Sequence, residues 1–213
     1  ARIRRTIRDV FDTRGFLEVD TPVLSREVLP EAHIDPLEVF LDGDPAARYL
    51  QASPEALMKR LLALDSGPIY QFAQSFRAGE RGERHDVEFC LLEWYQPGAK
   101  LERAAAGRGV VLPACDEADR WDRAFEILLG EAVQPQLGRG RPALLVDWPA
   151  SQAAFARLDD GGTARRFELF CEGVELANGW EEETSRAELE RRIAAANAIR
   201  IRSGRTALPV PER

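Results

Sequence analysis

The densest chemistry in the sequence lies between Ser75 and Tyr95. An apolar run ends at Phe76, a charged stretch fills Arg77 to Asp86, and a second apolar run returns from Val87 to Tyr95. Arg77 stands where the first run ends. Its planar guanidinium can hold a phosphate through two parallel hydrogen bonds, a geometry that lysine cannot match. On the returning run Glu93 and Tyr95 are two residues apart, so in a strand both face the same side. A carboxylate beside a phenol on a sheet face suits a ligand that carries an ammonium group. The same loop also reads as a solvated hairpin tip whose charges pair with each other, and residue types alone leave both readings open. Further along, Glu181-Glu182-Glu183 precedes a helical pattern, where carboxylates complement the positive end of a helix.

These residues need elements that hold them. Ile3, Ile7, Val10 and Phe11 follow i, i+4, i+7, i+8 spacing and predict an amphipathic helix ended by Gly15. A short strand over 16–19 and a turn at Thr21-Pro22 come next. Two paired strands are expected over 37–41 and 48–52, around Asp42-Gly43-Asp44-Pro45. Ser53 as N-cap and Pro54 in the first turn start a helix with Leu57, Leu61, Leu62 and Leu64 on its buried side. Strands over 69–76 and 87–95 flank the charged loop. Helical patterns at 101–106 and 121–129 form a patch before strands resume over 143–148, 167–171 and 174–177, the last two joined at Glu172-Gly173. Thr184 is expected to cap a long helix to about Arg202, with Leu189, Ile193, Ala196 and Ile199 on one side. Strands that connect mostly to near neighbours predict an α+β fold, an antiparallel β-sheet flanked by helices, in a single domain over 1–213.

Composition narrows the class. The 213 residues are 45% hydrophobic and 31% charged, which excludes a disordered tail or a collagen. A core of this size buries roughly 70% of the unfolded chain's surface, so no disulfide or metal staple is required. No apolar run approaches the ~18 residues of a spanning helix, and no signal-peptide pattern opens the sequence. Cys90, Cys115 and Cys171 are widely spaced and odd in number, which suits free thiols in a reducing compartment. The net charge of −7 argues against binding nucleic acid through the whole surface. These features predict an acidic, cytoplasmic protein with no membrane partner.

The stretch from Ser75 to Tyr95 resembles motif 2 of the class II aminoacyl-tRNA synthetases, an FRxE-type loop followed by a histidine-bearing turn and a strand with a late glutamate. The run from Arg14 through Gly15-Phe16-Leu17-Glu18-Val19-Asp20-Thr21-Pro22 to Leu24 resembles motif 1, the helix and strand of the family's dimer interface. Gly173-Val174-Glu175-Leu176-Ala177-Asn178-Gly179-Trp180 is similar to the acidic strand of lysyl-type members. With Trp148-Pro149-Ala150-Ser151-Gln152, Glu93-Trp94-Tyr95-Gln96-Pro97 and Ser53-Pro54-Glu55, the pattern looks closest to the stand-alone lysyl-tRNA synthetase relatives that ligate (R)-β-lysine to elongation factor P. The likeness covers most of 1–100 and 141–202. The sequence departs from it at Ala78 and Gly79, where Asn and Glu are usual, at Asp86 and Val87, in a short segment after Gln96, and in having no glycine-rich motif 3 with a terminal arginine.

The resemblance implies an enzyme that uses ATP and Mg2+. It implies ATP contacts at Arg77, His85, Asp86, Phe89, Glu175 and Leu176, with Arg77 also catalytic. It places the amino acid at Ser53, Pro54, Glu55, Glu93, Tyr95, Asn178 and Glu182, with Asn178 and Glu93 at the ammonium groups. The metal would fall to Glu175 and Glu182. The reaction implied is AMP-forming activation of lysine or β-lysine, then transfer to a lysine of elongation factor P, with tRNA disfavoured as acceptor. A lysyl-tRNA synthetase core and a synthetase-like binding module without catalysis share the same pattern. A motif 1 helix and strand whose apolar stripe a monomer would expose imply a homodimer. Light scattering at micromolar concentration should therefore return twice the 23.8 kDa chain mass; the single-chain mass would overturn this.

Overall fold

In the computed structural model, which describes residues 2–98, 125–126 and 129–210, the expected amphipathic helix is α1 (Arg2–Asp12), followed by Gly15 at φ 77°. Of its stripe, Phe11 packs on a three-stranded sheet, while Ile3 and Val10 stay exposed. Phe11 stacks on Tyr70 with ring centroids 4.5 Å apart and meets Phe16 edge-on at 5.0 Å. The sheet comprises β1 (Leu17–Glu18), β5 (Ile69–Phe76) and β6 (Glu88–Tyr95), in the order β1-β5-β6. β5 and β6 are antiparallel, whereas β1 joins β5 in parallel through Leu17 and Glu18. A second sheet sets β2 (Leu24–Ser25) and β3 (Leu37–Leu41) on either side of β4 (Asp44–Leu50). The turn between β3 and β4 is only Asp42-Gly43, so β4 starts earlier than its apolar residues suggest.

Helix α2 (Glu55–Ala63) differs from expectation on its buried side. Met58 is the fully buried residue, while Leu64 lies beyond the helix and is exposed. Leu57, Leu61 and Leu62 are only half-buried, whereas burial is set by the first turn, where Glu55 is also buried. Ser53 accepts a hydrogen bond from the Glu55 N–H at 3.1 Å, one position ahead of Pro54, so it tethers the helix start from the preceding loop.

The contacts divide the chain into one unit of Ala1–Gly98 with Ile193–Arg213 and another of Ala99–Arg192. In the second unit β7 (Ala143–Pro149), β8 (Thr163–Cys171) and β9 (Val174–Trp180) form an antiparallel sheet in the order β7-β8-β9. β8 begins four residues earlier than its apolar pattern, and β9 runs three residues further. Arg165, Arg166, Asn178 and Gly179 hide these extensions in the sequence but pair in register. The core gathers Phe125, Leu145, Trp148, Ala153, Ala156, Ala164 and Phe170. Gly138, at φ 72°, backs against this sheet, where an added Cβ would lie 2.4 Å from the Phe170 carbonyl oxygen. Helix α3 (Arg186–Arg202) is capped by Ser185 in place of Thr184, its Oγ accepting from the Glu188 N–H at 3.4 Å. Apart from Phe125, Glu126 and Leu129, the helical segments expected over 101–106 and 121–129 lie outside the described residues.

Candidate active site

The β5–β6 hairpin is in unbroken register from Ile69 opposite Tyr95 to Phe76 opposite Glu88. Pairing and two-residue alternation put Gln71, Ala73, Ser75, Phe89, Leu91, Glu93 and Tyr95 on one face. Arg77 continues that face, its guanidinium 5.1 Å from the centre of the Phe89 ring. The Arg77 N–H donates to the Val87 carbonyl at 2.9 Å, its Nε donates to the Ala52 carbonyl at 3.3 Å, and Nη1 lies 3.6 Å from the Glu80 carboxylate. The loop beyond folds over a tight turn in which Gly82 and His85 exchange backbone hydrogen bonds. Arg77, Gly79, Glu80, Arg81 and His85 line an open cleft of about 350 Å3. Asp86 does not line it; its carboxylate accepts from the Val87 N–H at 2.8 Å. Two arginines and a histidine against the one carboxylate of Glu80 give this cleft a predominance of basic side chains.

At the other end of the same face Glu93 is held on both oxygens. The Tyr95 hydroxyl donates to Oε1 at 2.6 Å and the Ser53 hydroxyl donates to Oε2 at 2.9 Å. Glu55, buried in the first turn of α2, pairs with Lys59 at 2.6 Å. Burial pushes the Glu93 carboxyl from 4.5 up to about 7, and the Glu55 charge adds to the rise; the Tyr95 and Ser53 hydrogen bonds oppose it. Ser53, Glu55 and Tyr95 thus converge on the Glu93 carboxylate, whose charge burial makes costly.

In the second unit a register shift sets the chemistry. β9 pairs Ala177 with Leu169 but Glu175 with Phe170, so Leu176 is an extra residue in the strand. Without it Glu175 and Asn178, three apart, would point to opposite faces. With it, both share the face of Glu168 and Arg166, and the Glu175 charge raises the Glu168 pKa. Burial is the larger cause there and takes the Glu168 carboxyl to about 7 against the pull of Arg166. Arg166 lies 4.2 Å over the Trp148 ring, donates to the Glu168 carboxylate at 2.5 Å and to the Gln152 carbonyl at 2.7 Å, and donates from Nε to Asn178 Oδ1 at 3.1 Å. Glu182 follows β9 in a bridge with Ala156, and Leu176 is exposed.

A family profile described as tRNA synthetases class II (D, K and N) matches residues 1–107. A protein of Edwardsiella ictaluri named elongation factor P--(R)-beta-lysine ligase is 35% identical over 263 aligned positions, taking in all of this chain and 81% of its own length. Proteins of the same name from Pectobacterium atrosepticum and Erwinia tasmaniensis are each 34% identical, over 100% and 99% of this chain and 81% and 80% of theirs. The chain belongs to the class II aminoacyl-tRNA synthetase family.

For a class II synthetase fold the missed residue is Glu168. It sits in an apolar run, and the signal was its parity with Arg166 and Phe170, which turns a charged side chain toward the core. Glu168 and Glu175 on one face form a hard-oxygen donor set of the kind magnesium takes. Among the described residues no three Asp, Glu, His or Cys side chains converge as a metal cage, so Glu182 does not complete one with this pair. None of the described helices is long and apolar enough to cross a membrane.

The Glu93 shift has a direct consequence for stability. Unfolding restores an ordinary carboxyl, so the folded state loses ground as pH rises from 4.5 to about 7, where the unfolded chain ionises and Glu93 does not. In Glu93→Gln this loss is removed. Denaturant unfolding should show the variant gaining on the parent across that window and the gap levelling above it. Parallel stability curves from pH 4 to pH 8 would contradict this.

Proposed function

We propose that the chain is an AMP-forming ligase that activates a lysine-like amino acid, (R)-β-lysine in keeping with the relatives' names, and transfers it to a lysine of elongation factor P. One observation carries the reading. Arg77 and Phe89 at one end of the β5–β6 face and Glu93 and Tyr95 at the other offer a phosphate grip and an ammonium clamp on a single rigid surface. Glu93 lies four positions along the strand from Phe89, a span of about 13 Å. Such a span accommodates the junction between an amino-acid carboxylate and a nucleotide α-phosphate.

In the first step a carboxylate oxygen of the amino acid attacks the α-phosphorus. A P–O bond forms, the bond to the departing pyrophosphate breaks, and an aminoacyl-adenylate results. Arg77 holds the α-phosphate in line and stabilises the charge that grows on its oxygens. His85 and Arg81 meet the outgoing phosphates, and Phe89 offers adenine the ring face that Arg77 does not cover. In the second step the acceptor lysine amine attacks the acyl carbon, the C–O bond to AMP breaks, and the amine proton passes to solvent. No side-chain nucleophile is required.

Glu93, with Ser53, Pro54, Glu55 and Tyr95 around it, binds an ammonium group. Arg166 occupies the oxygen of Asn178, so that amide presents its NH2 and suits a carboxylate or carbonyl oxygen of the substrate better than an ammonium. Glu168 and Glu175 would hold magnesium, which when bound neutralises phosphate charge. The exposed Ile3, Val10, Leu17 and Trp94 side chains support a homodimer. The relatives' names and the charge of −7 favour a protein acceptor over tRNA.

The test is amino-acid-dependent ATP–pyrophosphate exchange, followed by mass spectrometry of elongation factor P for the added acyl group. Exchange should run with lysine or (R)-β-lysine and not with leucine. Arg77→Ala should lower its rate on the order of 10²-fold. Glu93→Gln should raise the amino-acid KM far more than the ATP KM. Exchange unaffected by Arg77→Ala, leucine serving as well as lysine, or no exchange with any amino acid would overturn the assignment.

A further inference from the structure

Near the end of α3 a buried arginine stands apart from the residues already described. Arg200 is 3% exposed, and all three nitrogens of its guanidinium donate hydrogen bonds. Nε donates to the Thr206 carbonyl at 3.0 Å, Nη1 donates to the carbonyls of Ile34 at 2.8 Å and Glu31 at 3.2 Å, and Nη2 donates to the Asp35 carboxylate at 2.8 Å. Arg205 adds a longer contact to the same carboxylate at 3.6 Å. Residues 31–34 belong to no helix or strand, so their own backbone pattern does not set their place.

Asp35 passes that placement on. Its carbonyl accepts from the Ala78 N–H at 2.7 Å, an isolated antiparallel bridge. Ala78 is the residue after Arg77, and Gly79 beyond it turns at φ 78° into the cleft. Arg77 is therefore pinned from two sides: its own N–H within the hairpin, and its successor through Asp35. A buried guanidinium that loses its partners is heavily penalised, so segment 31–35 cannot drift without stranding Arg200. We infer that Arg200 is a positioning residue for the phosphate-binding loop, acting through Asp35 and Ala78 on the setting of Arg77. The inference rests on the ligase reading for what the loop binds, while the physical coupling stands on the hydrogen bonds alone.

Two measurements on the whole chain separate these layers. The first is amide hydrogen exchange. Arg200→Met should speed exchange at Ala78 by about tenfold or more while the Arg77 amide, bonded to Val87, stays within a factor of about two. The second is pyrophosphate exchange, in which Arg200→Met should raise the ATP KM by about tenfold with the amino-acid KM within about twofold. Arg200→Lys, which keeps the charge and one or two of the bonds, should fall between. If Arg200→Met fails to fold, Asp35→Asn serves. It keeps the carbonyl to Ala78 and the side-chain volume and weakens only the charge pair, so the same two shifts should appear at smaller size. Unchanged Ala78 exchange in the folded variants overturns the coupling. Faster Ala78 exchange with an unchanged ATP KM in an active enzyme overturns the link to phosphate binding. Equal rises in both KM values with general loss of amide protection would mark a merely structural role and also overturn it. A parent protein inactive with every amino acid would remove the ligase reading, and the Ala78 result would then decide the coupling by itself.

Discussion

The unbroken register of the β5–β6 hairpin is the constraint on which the first unit's chemistry depends. Eight consecutive pairs fix which side chains share a face, because a slip of one residue would turn every one of them over. Phe89, Glu93 and Tyr95 come from β6, and Arg77 comes from just beyond the end of β5. They meet on a single surface only because no bulge intervenes between Ile69 and Phe76. The floor between the two ends is Ala73 and Leu91, one small and one apolar, so the face has polar groups only at its ends. α1 steadies the other side of the sheet, with Phe11 stacked on Tyr70 and Arg8 and Arg4 lying over the Phe72 ring.

The second unit solves the opposite problem. Its strand must bring residues an odd number apart onto one face, and regular alternation forbids that. The extra residue at Leu176 shifts the parity of β9, and the shift between Val146 and Trp148 does the same for β7. Trp148 thereby reaches the face of Arg166, and Glu175 reaches that of Glu168. Bulges of this kind twist and re-aim a strand at the cost of a ladder bond. In both units a partly or fully buried carboxyl is driven to about 7. A carboxylate with its hydrogen bonds already made, yet reluctant to ionise, gains most when a cation approaches, since the arriving charge removes the penalty that burial imposed.

Much of this was legible in the sequence, and the parts that were not share a physical reason. The hairpin and α1 follow from runs of apolar residues with clean period and clear breaks. The convergence of Ser53, Glu55, Glu93 and Tyr95 was legible through motif likeness, because nothing in spacing joins a loop at 53 to a strand at 93. The bulge at Leu176 was hidden, since one surplus residue leaves hydrophobicity unchanged. Glu168 was hidden by composition, a lone charge in an apolar strand. Ser185 displaced Thr184 as cap because helix ends are decided by which hydroxyl reaches the third amide. Asp86 was placed with the nucleotide by motif position, and its side chain accepts from the adjacent backbone N–H of Val87.

Two arginine–carboxylate pairs near the phosphate loop show how burial assigns different work to the same chemistry. Arg77 and Glu80 lie 3.6 Å apart with side chains 26% and 34% exposed. Such a pair contributes little, about 0–1 kcal/mol, because water screens it and long side chains resist ordering. A phosphate can exchange with Glu80 at slight cost, and until it arrives the loop is not left with a bare positive charge. Arg200 and Asp35 are closer, at 2.8 Å, and the Arg200 side chain is only 4% exposed. The Asp35 carboxylate is itself 42% exposed, so what fixes Arg200 is its own burial and the commitment of Nε and Nη1 to backbone carbonyls. Arg77 can exchange its carboxylate partner, whereas Arg200 is held by the chain around it. On the proposed ligase reading the loop uses both properties, since Arg77 then changes partners without changing place.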